Sequence, residues 1–142
     1  MSNTILCSID LGHPDVSKPV LKRAQQLANL DDATLSVITV VPDYGMTIVG
    51  SYFEEGTLKK AVEDSNKKLH AFVAENIEAG TKVQHIIGVG SVYEEVLKAI
   101  GEIGADLIVM GSSKPGVKEL ILGPNASRIA RHTEASVYIV RE

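Results

Sequence analysis

Gly111-Ser112-Ser113-Lys114-Pro115-Gly116 and, a few residues on, Leu122-Gly123-Pro124-Asn125-Ala126-Ser127 are the residues of this chain best suited to hold an anion. They follow the apolar run Ala105-Asp106-Leu107-Ile108-Val109-Met110, which reads as a buried strand. A glycine leaving a buried strand lets backbone approach a ligand, and Gly123 stands where a helix opens. Amides at a helix N-terminus carry partial positive charge, and phosphates are the anions that suit them best. The chemistry is binding rather than bond-breaking: Ser113 and Ser127 have no base beside them, so a nucleophilic triad has no support. Gly88-Val89-Gly90 falls short of a dinucleotide fingerprint, because Tyr93 takes the third glycine's place and the strand before it is not the first one. His13, His70, His85 and His132 lack metal-ligand spacing and read as surface or packing residues, with His13 the nearest to the expected site.

These residues need a frame, and short apolar runs alternate with amphipathic stretches throughout. Thr4-Ile5-Leu6-Cys7-Ser8-Ile9-Asp10 reads as a first strand with its acid at the carboxyl end. Val16, Val20, Leu21, Ala24, Leu27 and Ala28 recur at helical spacing. The β-branched run Leu35-Ser36-Val37-Ile38-Thr39-Val40-Val41 stops at Pro42 as a second strand. Residues 43–53 show no period and read as a mobile loop over the strand ends. Leu58, Val62, Ser65, Leu69, Phe72, Val73 and Asn76 mark one face of a long helix, which Gly80 is expected to stop. Residues 83–89 form a third strand, and Ser91-Val92-Tyr93-Glu94 is a capping-box signature for a third helix. Strand four covers residues 105–110. A short helix after Gly123 should turn Ala126, Ile129 and Ala130 inward, and residues 136–141 close the chain as strand five.

Five strands alternating with four helices imply an α/β fold: a doubly wound five-stranded parallel sheet with helices on both faces. Ligands in such sheets lie beyond the carboxyl ends of the strands, where the order reverses. The expected order 3-2-1-4-5 puts that reversal between strands one and four, so Asp10 and Gly111 should flank the crevice. Asp10 has a plainer role open to it, since aspartate at a strand end often bonds local backbone.

A length of 142 residues suits a single domain spanning 1–142. A net charge of −4 without any basic block excludes a nucleic-acid footprint. The lone Cys7 cannot form an internal disulfide, reads as a small core residue, and fits a reducing compartment. No secretory leader or membrane-spanning run is evident, so a cytoplasmic location with no membrane partner is expected.

Taken together, these segments resemble the universal stress protein family over essentially the whole chain. The resemblance rests on Thr4-Ile5-Leu6 through Ile9-Asp10, on Ala105-Asp106-Leu107-Ile108-Val109-Met110-Gly111-Ser112, on Leu122-Gly123-Pro124-Asn125-Ala126, and on Arg131-His132 through Ser136-Val137-Tyr138-Ile139-Val140. The last portion is most similar to the small single-domain bacterial branch. Family members with the loop Gly-x2-Gly-x9-Gly-Ser/Thr bind ATP or other adenine nucleotides, with the phosphates on that loop. Here Gly111 matches the first glycine, while Lys114 replaces the second and is followed by Pro115. Gly123 matches the third after one fewer intervening residue, and Pro124 replaces the hydroxyl residue. Lys114 adds a positive charge able to pair with phosphate but loses conformations open to glycine, which Gly116 restores two residues later. Pro124 removes an amide and a hydroxyl, yet suits the first position of a helix. One lost phosphate donor costs about 1–3 kcal/mol, so affinity should fall without vanishing.

The resemblance implies an ATP- or AMP-binding, stress-response regulatory protein. Asp10 borders the nucleoside, the backbone near Val40 and Val41 meets adenine, and Gly111, Ser112, Ser113, Lys114, Gly123 and Asn125 line the phosphates. Mg2+ can accompany ATP, although no carboxylate cluster supplies ligands for it. No base or transition-state arginine is evident near the loop, so the chain is not expected to be more than a slow ATPase. Strand five leaves Val137, Ile139 and Val140 at a sheet edge, and the resemblance implies a homodimer paired there through residues 136–141. The competing reading is a nucleotide-free dimeric interaction module of the same fold. Other doubly wound folds lack their marks. A receiver would need an aspartate ending strand three, where Ile86-Ile87-Gly88 stands. A flavodoxin or an ATP pyrophosphatase would need its phosphate loop where Leu11-Gly12-His13-Pro14 stands.

Overall fold

The computed structural model describes residues 2–42, 55–112 and 122–141, with side chains from residue 58 onward in the middle segment. The elements run β1 (Thr4–Ser8), α1 (Pro14–Asp31), β2 (Thr34–Val41), α2 (Glu55–Asn76), β3 (Val83–Val89), α3 (Val92–Ile103), β4 (Leu107–Gly111), α4 (Pro124–His132) and β5 (Ser136–Val140). The five strands form one sheet of order β3-β2-β1-β4-β5, and each neighbouring pair is parallel. Successive strand residues face opposite sides of a sheet, which divides the apolar residues into two cores. Ile5, Cys7, Ile9, Val37 and Val109 pack with Leu21 and Ala24 of α1 and Leu69 and Phe72 of α2. Leu6, Ile38, Ile108 and Met110 pack with Val96 and Ile100 of α3 and Ala126 and Ile129 of α4. Helices therefore cover both faces.

The helix ends have local causes. Pro14 occupies the first turn of α1, where its missing N–H leaves no bond unmade, and Asp32 closes the helix in the left-handed region at φ 52°. Gly104 does the same for α3 at φ 66°. The long helix α2 stops at Asn76, whose Nδ2 donates to Phe72 O at 2.8 Å. That end precedes the expected stop at Gly80, which instead turns the chain into β3 at φ 91°.

Five further expectations change. β1 ends at Ser8 and β4 starts at Leu107, so Asp10 and Ala105 lie in the connections flanking the strands. Ser91 is the N-cap of α3, but its side chain makes no capping bond. Glu95, one residue past the expected partner Glu94, accepts from Val89 N at 3.3 Å and closes that turn. Ala130 is exposed, because the nine-residue α4 buries a narrow stripe centred on Ala126 and Ile129. β5 ends at Val140 rather than Arg141. The stretch read as a loop over the strand ends, residues 43–53, lies outside the described residues, as do Ser113 and Lys114.

Cys7 is fully buried in the middle of β1, and burial pushes its thiol far above the ordinary range, so it is an inert core residue. Among the described residues no helix is long and apolar enough to cross a membrane.

Candidate functional site

The expected crevice lies beyond the end of β1, which stops while β2 continues. Ser8 pairs with Ile38, and Ile9 N donates to Ile38 O at 3.0 Å, after which β2 continues through Thr39, Val40 and Val41. Backbone groups of a strand alternate between its two neighbours. Val41 O accepts from Gly90 N at 2.9 Å, so Val41 faces β3 and Val40 turns its N–H and C=O toward the β1 side. The two residues expected to meet a base thus differ: Val40 presents its backbone to the crevice, while Val41 is engaged with the next strand.

Asp10 stands where β1 gives way to the loop before α1. Its Oδ1 accepts from Gly12 N at 2.9 Å, the local turn that aspartate favours. Its carbonyl accepts from His13 N at 3.0 Å and from Ser17 Oγ at 2.9 Å, and its own N–H donates to Ser17 Oγ at 3.0 Å. The side chain is 65% exposed, with Oδ2 lying 3.9 Å from His13 Nε2. That distance becomes an ion pair when His13 is protonated. The sequence placed His13 nearest the expected site, and it lies beside Asp10. Asp10 therefore performs its plain structural role through one oxygen, while the other lies beside His13 on an exposed side chain.

Gly111 ends β4 opposite Val140 of β5. A Cβ added there would lie 3.7 Å from Val20 Cγ2 and 3.8 Å from Val16 Cγ1, ordinary contact distances, so packing does not demand glycine. The same half of α1 that holds Asp10 through Ser17 thus borders Gly111 through Val16 and Val20. Ser112 follows, and its carbonyl accepts from Gly123 N at 2.6 Å. This bond draws the two ends of the loop together at the mouth of α4.

Gly123 is the N-cap of α4, extended at φ −69° and ψ 169°, with Pro124 in the first turn and no side-chain cap. Its carbonyl accepts the first helical bond, from Ser127 N at 2.9 Å. Helix geometry leaves the first amides without intrahelical partners. Gly123 N is bonded to Ser112 and proline has no N–H, so Asn125 and Ala126 carry the donors that α4 can offer an anion. Gly123 shapes the loop rather than donating from it, while Asn125 is half-buried beside it.

The structure brings Asp10, Val40, Gly111, Ser112, Gly123 and Asn125 to the carboxyl side of the sheet, where the strand order reverses between β1 and β4. Sequence reasoning missed Ser17, which is 3% exposed. A signal for it was present: Ser17 lies three and four residues before the buried Val20 and Leu21, on the inward face of α1. Among the described residues no group of three or more His, Cys, Asp or Glu side chains could hold a metal ion.

Comparison with known proteins identifies the fold's relatives. Universal stress protein G of Escherichia coli O157:H7 is 29% identical over 147 residues, covering 99% of this chain and 100% of that protein. The solved structure of MJ0577, a universal stress protein of Methanocaldococcus jannaschii, superimposes with a TM-score of 0.81 at 25% identity, covering 99% of this chain and 96% of that one. The universal stress protein from Archaeoglobus fulgidus, solved in complex with dAMP, superimposes with a TM-score of 0.66 at 16% identity, with 96% of each chain covered. Residues 1–141 match the sequence model of the Universal stress protein family. By that match and by its fold, the chain belongs to the universal stress protein family.

Proposed function

We propose that the chain binds an adenine nucleotide, ATP or AMP, in the crevice beside Asp10 and acts as a regulatory module in the stress response, with residues 1–142 forming one nucleotide-binding domain. The observation that carries this reading is the state of Asp10: its backbone and Oδ1 are tied down, and its 65% exposed side chain leaves Oδ2 beside His13 where the strand order reverses. Val40 adds main-chain groups on one side, and the first turn of α4 adds amides on the other. Ser113 and Lys114, by the family resemblance, are assigned to the phosphates, and Mg2+ arrives with ATP rather than on protein carboxylates. The dAMP complex of the Archaeoglobus fulgidus neighbour supports a ligand of this class. The lone thiol, buried and unpaired with another cysteine, accords with a reducing cytoplasmic setting.

Binding to the native state alone must stabilise it. With free ATP at about 100 times its Kd the midpoint of thermal unfolding should rise by roughly 5–10 °C. Asp10→Ala should lose most of that rise while keeping its ligand-free midpoint within a few degrees. An unchanged midpoint with both ATP and AMP at millimolar concentration contradicts the reading.

A second reading, a dimeric interaction module that works without nucleotide, has its own observation. Gly123 N is taken by Ser112 and Pro124 has no N–H, so α4 offers fewer donors than a phosphate-binding helix usually presents. Both readings include a homodimer through β5, an edge strand whose Tyr138 is 37% exposed.

A further inference from the structure

We infer that Ser17 is a positioning residue of this site: its hydroxyl fixes the main chain of Asp10 and so aims Oδ2 at a hydrogen-bond donor on the nucleoside. The inference rests on the nucleotide reading above. A serine inside a helix ordinarily turns its hydroxyl to the carbonyl four residues back. For Ser17 that carbonyl is His13 O, which already accepts from Val16 N at 3.2 Å and Ser17 N at 3.1 Å. The hydroxyl reaches out of the helix instead, accepting from Asp10 N at 3.0 Å and donating to Asp10 O at 2.9 Å. One buried group thus holds both peptide groups of a single residue, which restricts its φ and ψ together.

This clamp has a chemical consequence. With its backbone held by Ser17 and Oδ1 engaged by Gly12 N, Asp10 has Oδ2, 3.9 Å from His13 Nε2 on a 65% exposed side chain, as the oxygen left to meet a ligand. An ionised carboxylate only accepts hydrogen bonds. The site therefore selects a ligand with a donor at this point, a sugar hydroxyl or an exocyclic amine, over one that places an unprotonated phosphate oxygen there. Position matters because a hydrogen bond weakens steeply with poor alignment. Ser17 touches no ligand itself; it acts through Asp10.

The test is a double-mutant cycle of Ser17→Ala and Asp10→Ala, read by ATP titration, with amide hydrogen exchange on the ligand-free proteins. Ser17→Ala alone should weaken ATP binding by about tenfold, and in the Asp10→Ala background by less than about twofold, the non-additivity expected of residues acting through one another. The amides of Asp10 and Gly12 should exchange faster in Ser17→Ala. Equal losses of affinity in both backgrounds, or no loss in either, would overturn the inference. If the native protein takes up no ATP, the nucleotide reading falls, and exchange then decides on Ser17: faster exchange at Asp10 and Gly12 supports the clamp, and unchanged exchange overturns it. Should Ser17→Ala fail to fold, Ser17→Cys replaces it with the same expectations, since a thiol has similar shape but bonds weakly.

Discussion

An alanine at Gly88 would place its Cβ 2.9 Å from Glu95 Cβ and 3.2 Å from Glu95 Cγ, so α3 would have to move away from β3. At Gly111 the same change meets only two valine methyls at 3.7 and 3.8 Å. Both glycines lie near the carboxyl ends of their strands, β3 and β4, yet one is required by packing and the other is not. Gly88→Ala should therefore destabilise the fold by about 1–3 kcal/mol in urea unfolding, the usual cost of overpacking. Gly111→Ala should stay within about 0.5 kcal/mol of the native protein while weakening nucleotide binding. The reverse order of stabilities would remove the reason given for Gly111. At this scale the sequence is a partial guide. Gly111 stands out because it leaves a buried strand, whereas the need for Gly88 arises from the approach of α3, which spacing alone does not display. Asp10 was legible as a strand-end acid with two roles open to it, and the structure shows the local backbone role, through Oδ1.

Between elements, the contact of α2 with β3 carries a feature that no spacing suggests. His70 and His85 stack with ring centroids 3.6 Å apart and planes 19° from parallel. Burial, and then repulsion by His70, hold His85 below the ordinary imidazole range. The folded protein thus binds a proton on His85 less readily than the unfolded chain. The contribution of His85 is complete above the unfolded value of about 6.5 and declines as pH falls toward the lower folded value. Thermal midpoints should drop between pH 7.5 and 5.5, and His85→Gln should flatten that dependence. An equally steep profile in the variant would exclude His85 as its source. These histidines read separately as surface or packing residues because fifteen positions and a turn separate them in sequence. The helices themselves were legible from apolar spacing. Their ends were less so, since Asn76 and Glu95 act through side-chain bonds that depend on the final geometry.

For the whole molecule, alternation of strands and helices was enough to anticipate the parallel sheet and its order, because right-handed crossovers leave few alternatives. That order also set the place of the expected crevice. What topology could not convey is which backbone groups face it: Val40 does and Val41 does not, a consequence of β1 ending at Ser8. The sheet also ends in β5, whose Val137, Ile139 and Val140 are only half-buried and whose Tyr138 lies 6.0 Å below the Arg23 guanidinium. An edge of this kind invites pairing with a second copy. Light scattering on a sizing column should give the mass of two chains, and Ile139→Lys should shift it toward one. A monomeric native protein at tens of micromolar would set the β5 dimer aside. Nucleotide binding beside Asp10 is read without intermediary by isothermal titration with ATP. A saturable heat approaching one nucleotide per chain, weakened at least tenfold by Asp10→Ala, is the result expected from one open carboxylate oxygen at the site. No heat above dilution at millimolar ATP and AMP would contradict it.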